Sequence, residues 1–133
     1  MKAVLFYGPE NIKYEDVRLR PLKKGEVLVK IMSALTCGTD VKTYRRGHPV
    51  LIKTIPSGFG HEFSGVIEKL GEGVTKFSVG DRVVAANSAP CGECFFCKRG
   101  EYNLCEHLDL LNGAYAEYII VPERIFEKNM LVL

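Results

Sequence analysis

Seven residues of this 133-residue chain have the types and spacings that suit metal chemistry. Four are Cys91, Cys94, Cys97 and Cys105, in the stretch CGECFFCKRGEYNLC. The two-residue gaps let consecutive thiolates turn toward one centre, and the longer gap lets the fourth close a tetrahedron. A closed four-thiolate site is the usual form of structural zinc and leaves no position open for substrate. Gly92 and Gly100 supply tight turns. Lys98 and Arg99 are expected to offset the formal double negative charge of such a site. An iron–sulfur run would usually space its last cysteine more tightly and follow it with Pro, and Glu106 follows here. A zinc ribbon for nucleic acid would carry a basic, aromatic surface that the flanking residues do not supply. The other three residues are Cys37, His61 and Glu62: one thiolate, one imidazole and one carboxylate. Such a set can hold a catalytic zinc with one position free. Spacing alone favours reading Cys37 as a small buried hydrophobe and His61 as a core or surface residue.

The elements that would position these groups are mostly short strands. KAVLFY ends at Gly8-Pro9, and NIKYEDV alternates in a polar register. GEVLVKIMSALT alternates Val27, Val29 and Ile31 against Leu28, Lys30 and Met32, a strand signal that leads directly to Cys37. After Cys37, Thr39 or Asp40 could cap one short helical stretch closed by Gly47. HEFSGVIEKL, RVVAA and GAYAEYIIV read as further strands, and the Cys-rich lobe, residues 88–110, has no apolar periodicity of its own. Side chains alternate along a strand, so His61 and Glu62 are expected on opposite faces unless the backbone twists locally. The pattern predicts a mainly β fold, a barrel or partly open sheet with short helices.

Composition narrows the function classes. Apolar residues make up 47%, enough for a core. With 18 basic and 16 acidic side chains the net charge is +2, too balanced to argue for nucleic acid or an anionic membrane. No apolar run approaches the ~20 residues of a membrane span. MKAVLFYGPE lacks a signal-peptide cleavage region, so the expectation is a cytoplasmic, reducing location. There, cysteines serve as metal ligands or catalysts more often than as disulfides. GEGVTK is the only Gly-rich candidate for a dinucleotide fingerprint, and it lacks the third glycine and the helix that should follow. ERIFEKNMLVL ends in an apolar stretch, whereas natural termini are more often polar. The chain is therefore expected to be part of a longer one.

The chain resembles the N-terminal, GroES-like catalytic domain of the zinc-dependent medium-chain alcohol dehydrogenases. GHEFSGVIEKLGEGV carries Gly60, His61, Glu62, Gly65, Gly71 and Val74 in the family pattern, and FSVGDRV follows it. The cysteine spacing and CGTD, residues 37–40, match as well. The likeness spans essentially all of residues 1–133. It implies a GroES-like partly open β-barrel whose lobe is fastened by structural zinc on Cys91, Cys94, Cys97 and Cys105. It implies a catalytic zinc on Cys37 and His61, with Glu62 as a ligand or an exchangeable alternative to water. Asp40 would orient the ligand histidine, and Thr39 would pass the substrate's proton away from the metal. The family often places a relay histidine where this chain has Lys42, so either the proton leaves another way or Lys42 contacts cofactor phosphate or substrate. His48 and His107 are read as surface or structural histidines.

The activity so implied is NAD- or NADP-linked oxidation of a small alcohol or polyol. Zinc would act as a Lewis acid on the hydroxyl, and hydride would pass to nicotinamide. CGTD with Tyr44 resembles the threonine and sorbitol dehydrogenase branch. The cofactor would be bound by a Rossmann domain that these residues do not include. The isolated domain would then have little activity, and the longer enzyme is expected to be a homo-oligomer. The alternatives are a non-catalytic zinc-stabilised module, with Cys37 and His61 as ordinary core residues, and a co-chaperonin-like binding protein.

Overall fold

The computed structural model describes residues 1–133. In chain order it forms β1 (Lys2–Gly8), β2 (Asn11–Asp16), β3 (Val27–Leu35), α1 (Gly38–Arg46), β4 (Ser57–Gly58), β5 (Glu62–Leu70), β6 (Arg82–Ala85), β7 (Ser88–Ala89), α2 (Phe95–Lys98), β8 (Asp109–Leu110), β9 (Tyr118–Val121), α3 (Glu123–Asn129) and β10 (Met130–Val132). Three open sheets result, ordered β2-β1-β4, β10-β6-β5-β3-β9 and β7-β8. The mainly β reading of the sequence holds. No helix is long and apolar enough to cross a membrane.

β3 is the axis of the five-stranded sheet, paired antiparallel with β5 on one side and β9 on the other. Its first half alternates into the core, where Val27 and Val29 are fully buried. They pack with Ile67, Val83, Val121, Ile125, Phe126 and Met130 in one apolar cluster. Each such side chain contributes about 1.5–3 kcal/mol on leaving water. The second half of β3 runs out of that core toward Cys37, exposed from Met32 to Thr36. Ahead of β3, the buried Glu26 accepts hydrogen bonds from Arg20 at 2.6 and 2.7 Å and from the Lys23 amide at 2.8 Å. The Arg20 guanidinium holds the Glu26 carboxyl down to about 2.

The structure revises one strand boundary and supplies elements for two stretches that the sequence pattern left unassigned. Strand β9 begins at Tyr118 rather than Gly113, because the amides of Gly113, Ala114 and Tyr115 are bound to the carbonyls of Gly60 and Phe59 instead of a β ladder. ERIFEKN is a helix that buries Ile125 and Phe126, and MLV pairs with β6 as an edge strand. The Cys-rich lobe has a two-stranded stem, β7 with β8, a short helix and a 3-10 turn over Tyr102–Leu104.

Candidate metal centres

Two clusters of metal-ligating side chains form, and they are the two groups picked out from residue type. Within each cluster the candidate ligand atoms all lie within 4.8 Å of one another.

In the lobe, Cys94 and Cys97 are buried, and Cys91 and Cys105 are partly so. Cys91 Sγ and Cys97 Sγ are 3.9 Å apart. A tetrahedral zinc with ~2.3 Å bonds would set its sulfurs about 3.8 Å apart, so the spacing fits. The Cys91 amide donates to Cys105 Sγ at 3.2 Å, the Cys94 amide to Cys91 Sγ at 3.4 Å and the His107 amide to Cys105 Sγ at 3.4 Å. Backbone N–H groups of Glu93 and Cys94 pull the Cys91 thiol down to about 6, whereas burial pushes Cys97 up to about 12. Four crowded thiolates need a cation to ionise together, which is the chemistry of a closed metal site.

The lobe is tied down by α3, whose part the sequence did not reveal. Arg124 donates to the His107 carbonyl at 3.0 Å and pairs with Asp109 at 3.1 Å, and the Asn129 amide holds the Ser88 carbonyl at 2.5 Å. Arg99, expected to balance the thiolates, instead pairs with Glu101 and stacks on Phe95. Lys98 is exposed. The ammonium that leans over the lobe is that of Lys128, 2.8 Å from where a Cβ on Gly92 would sit.

The second cluster lies at the open end of the five-stranded sheet. Cys37 follows β3 and is itself the N-cap of α1, accepting from the Thr39 amide at 3.3 Å. The cap is therefore neither Thr39 nor Asp40. Asp40 occupies the third helical position and completes a capping box, its Oδ2 accepting from the Cys37 amide at 2.9 Å. Its other oxygen, Oδ1, lies 3.2 Å from His61 Nδ1, and both side chains are 4% exposed. With the Nδ1 proton held by Asp40, His61 turns Nε2 toward Cys37 Sγ at 3.3 Å and Glu62 Oε1 at 3.8 Å. Metal–sulfur and metal–nitrogen bonds of ~2.3 and ~2.0 Å would put sulfur and nitrogen about 3.5 Å apart, close to what is found.

His61 and Glu62 reach one point because His61 precedes β5, so strand alternation does not govern it. Gly60, with φ +83°, makes the turn, and a Cβ there would lie 2.4 Å from the Tyr115 ring. The Tyr115 hydroxyl donates to Thr36 Oγ1 at 2.8 Å or the Leu35 carbonyl at 3.1 Å. Burial raises its phenol pKa and the Asp40 carboxylate adds to the rise, so the group stays a donor. Tyr115 was read from sequence as strand. The break of alternation at Gly113–Ala114 was the only sign that it does something else.

A cleft of ≈ 380 Å³ opens beside the cluster, lined by His61, Glu62, Ser33, Leu35, Val84 and Asn87 among others. Its size suits a small molecule, and its lining mixes polar side chains with aliphatic ones. Thr39 is half-buried in the first turn of α1. Lys42 is exposed and lies two residues on from Asp40, about 200° around the helix. It is not drawn into the cluster. His48 accepts from the Val50 and Leu51 amides and so caps its own loop. His107 is exposed.

An open β domain with a four-thiolate lobe and a separate Cys–His–Glu cluster is a distinctive class. Residues 23–129 match the alcohol dehydrogenase GroES-like domain, and the chain belongs to that family. It is 44% identical over 105 residues to a sorbitol dehydrogenase of Halalkalibacterium halodurans, covering 75% of this chain and 30% of that protein. It is 38% identical over 133 residues to zinc-type alcohol dehydrogenase B of Aspergillus flavus, covering 92% and 29%. A crystal structure of a short chain alcohol dehydrogenase from Escherichia coli, complexed with cofactor NADH, superposes with a TM-score of 0.84 at 34% identity, covering 100% of this chain and 38% of that one. The chain thus spans about a third of the length of these relatives.

Proposed function

We propose that this chain is the metal-holding catalytic domain of a zinc-dependent, NAD- or NADP-linked alcohol or polyol dehydrogenase. The observation that carries the proposal is the Cys37–His61–Glu62 cluster. It joins a soft thiolate, a carboxylate-oriented imidazole and a movable carboxylate at the edge of a small-molecule cleft. Cys37 and His61 would hold the catalytic zinc. Glu62, 42% exposed, is free enough to serve as a ligand or to give way. Cys91, Cys94, Cys97 and Cys105 would hold a structural zinc. When bound, the catalytic metal supplies Lewis acidity toward a substrate hydroxyl.

The chain's own residues have distinct parts. Asp40 fixes the His61 tautomer and ring orientation. Leu35 and Val84 form part of the aliphatic wall of the cleft. Thr39, beside Cys37, would take the proton released from the hydroxyl. Lys42, exposed and three residues after Thr39 on α1, would meet a cofactor phosphate. Nicotinamide would be bound by a dinucleotide-binding domain and would accept the hydride. The relatives' names and the NADH in one neighbour support an alcohol or polyol class with this cofactor.

Metal analysis of the purified chain tests the reading. Two zincs per chain are expected, and Cys37→Ser should leave one while the lobe keeps its own. One zinc in both proteins would favour a module that uses metal only for stability.

A further inference from the structure

Tyr115 bridges the two segments that deliver the metal ligands. Its ring lies against Gly60, the residue before His61, so closely that no Cβ fits there. It meets Phe59 edge to face with ring centres 5.6 Å apart, and Phe59 in turn stacks on Phe6 at 5.9 Å. Its amide donates to the Phe59 carbonyl at 2.9 Å, while those of Gly113 and Ala114 close on the Gly60 carbonyl at 2.7 and 2.9 Å. The far end of the side chain reaches the other segment. Its hydroxyl lies 2.8 Å from Thr36 Oγ1 and 3.1 Å from the Leu35 carbonyl, the two residues that precede Cys37.

We infer that Tyr115 is a positioning residue for the Cys37–His61–Glu62 metal site, setting the separation of Cys37 from His61 through its ring and its hydroxyl. The inference rests on the reading of that cluster as a metal site. Few other groups could do this work. The β3–β5 ladder ends at Leu35↔Glu62, so beyond it the Cys37 and His61 backbones are not paired with each other. The second half of β3 is exposed and has lost its β9 partner, since that pairing stops at Lys30↔Tyr118. Beyond that last ladder pair, Asp40, acting from α1, and Tyr115, acting from residues 113–115, reach across from one ligand segment to the other. Asp40 orients the imidazole, and Tyr115 sets how far apart the segments stand. Tyr115 has no need to touch substrate, so it is not a catalytic residue.

Cadmium-113 NMR tests this without relying on turnover. With the metal replaced by cadmium, wild-type chain should give two resonances, the four-sulfur lobe well downfield of the mixed-ligand site. Tyr115→Phe removes only the hydroxyl, and Tyr115→Leu removes the ring. In both, the lobe resonance should stay where it is and the mixed-site resonance should shift or broaden. Cadmium affinity at the mixed site should fall about three- to tenfold in the Phe variant, the scale of one hydrogen bond, and further in the Leu variant. Mixed-site resonance and affinity unchanged in both variants, or both resonances moving together as in general loosening, would overturn the inference. Absence of a second resonance in the wild type would instead overturn the metal-site reading beneath it.

Discussion

Asp40 makes two bonds that neither neighbour can replace, so its removal should be felt twice. One carboxylate oxygen accepts from the Cys37 amide at 2.9 Å and the other faces His61 Nδ1 at 3.2 Å, with the residue 3% exposed. Asp40→Ala leaves both donors without a partner. An unsatisfied buried donor costs about 1–3 kcal/mol. Water can reach the half-buried Cys37 side, so the pair should cost about 2–4 kcal/mol. For a chain of this length that is a fall in Tm of about 10 °C. Asp40→Asn keeps one acceptor and should cost about half as much. The second effect is on metal. Loss of a carboxylate that orients a ligand imidazole weakens a site about 10–100-fold. Zinc competition against a chromophoric chelator should therefore show one site weakened by that factor and the lobe unchanged as an internal control. A mixed-site affinity within twofold of wild type in Asp40→Ala would refute the orienting role, even if the melting temperature fell.

Two further outcomes follow from the fold. Glu26 has a folded pKa near 2 against an ordinary 4.5. A depressed carboxyl contributes stability that is complete above about pH 4.5 and lost as pH falls through 2. In urea unfolding, Glu26→Gln should be less stable than wild type by about 1–2 kcal/mol at neutral pH, the half-exposed Arg20 screening the full linkage value. The gap should close between pH 4.5 and 2, and parallel profiles would exclude the ion pair as a source of stability. Gly65 stands where a Cβ would lie 2.2 Å from the Lys30 carbonyl oxygen and 2.6 Å from Val29 Cγ1. Gly65→Ala must push β5 off β3 and should cost about 2–3 kcal/mol; a urea midpoint within experimental error of wild type would show that the strands separate freely.

The parts of this molecule legible in its sequence are those where one local rule acts alone. Val27, Val29 and Ile31 alternate because β3 packs one face on the core, and the strand was found where that alternation is. The four-cysteine spacing was readable because turns of two residues dictate where sulfurs can point. What was hidden depends on distant partners. Glu123–Asn129 shows only two strongly apolar residues, Ile125 and Phe126, and both are buried through packing against β6 and β7, which no local pattern encodes. Lys128 reaches the lobe from 36 positions downstream of Gly92, whereas Lys98 and Arg99 sit inside it and looked the better candidates.

The strand-alternation argument against Glu62 shows how a sound rule fails when its span is misjudged. From Glu62 onward the rule is obeyed: Glu62, Ser64 and Val66 are half-buried while Phe63, Gly65 and Ile67 are buried. His61 lies one residue outside the strand, after a glycine whose positive φ turns the backbone. Its imidazole is therefore directed by Asp40 on α1, not by the pleat, and is drawn back to within 3.8 Å of the Glu62 carboxylate. The Gly60-His61-Glu62 triplet thus joins a turn residue, a helix-directed imidazole and a strand-directed carboxylate. Neighbours in sequence converge because three different elements aim them, and that convergence leaves an opening toward the cleft that an ordinary strand pair would not.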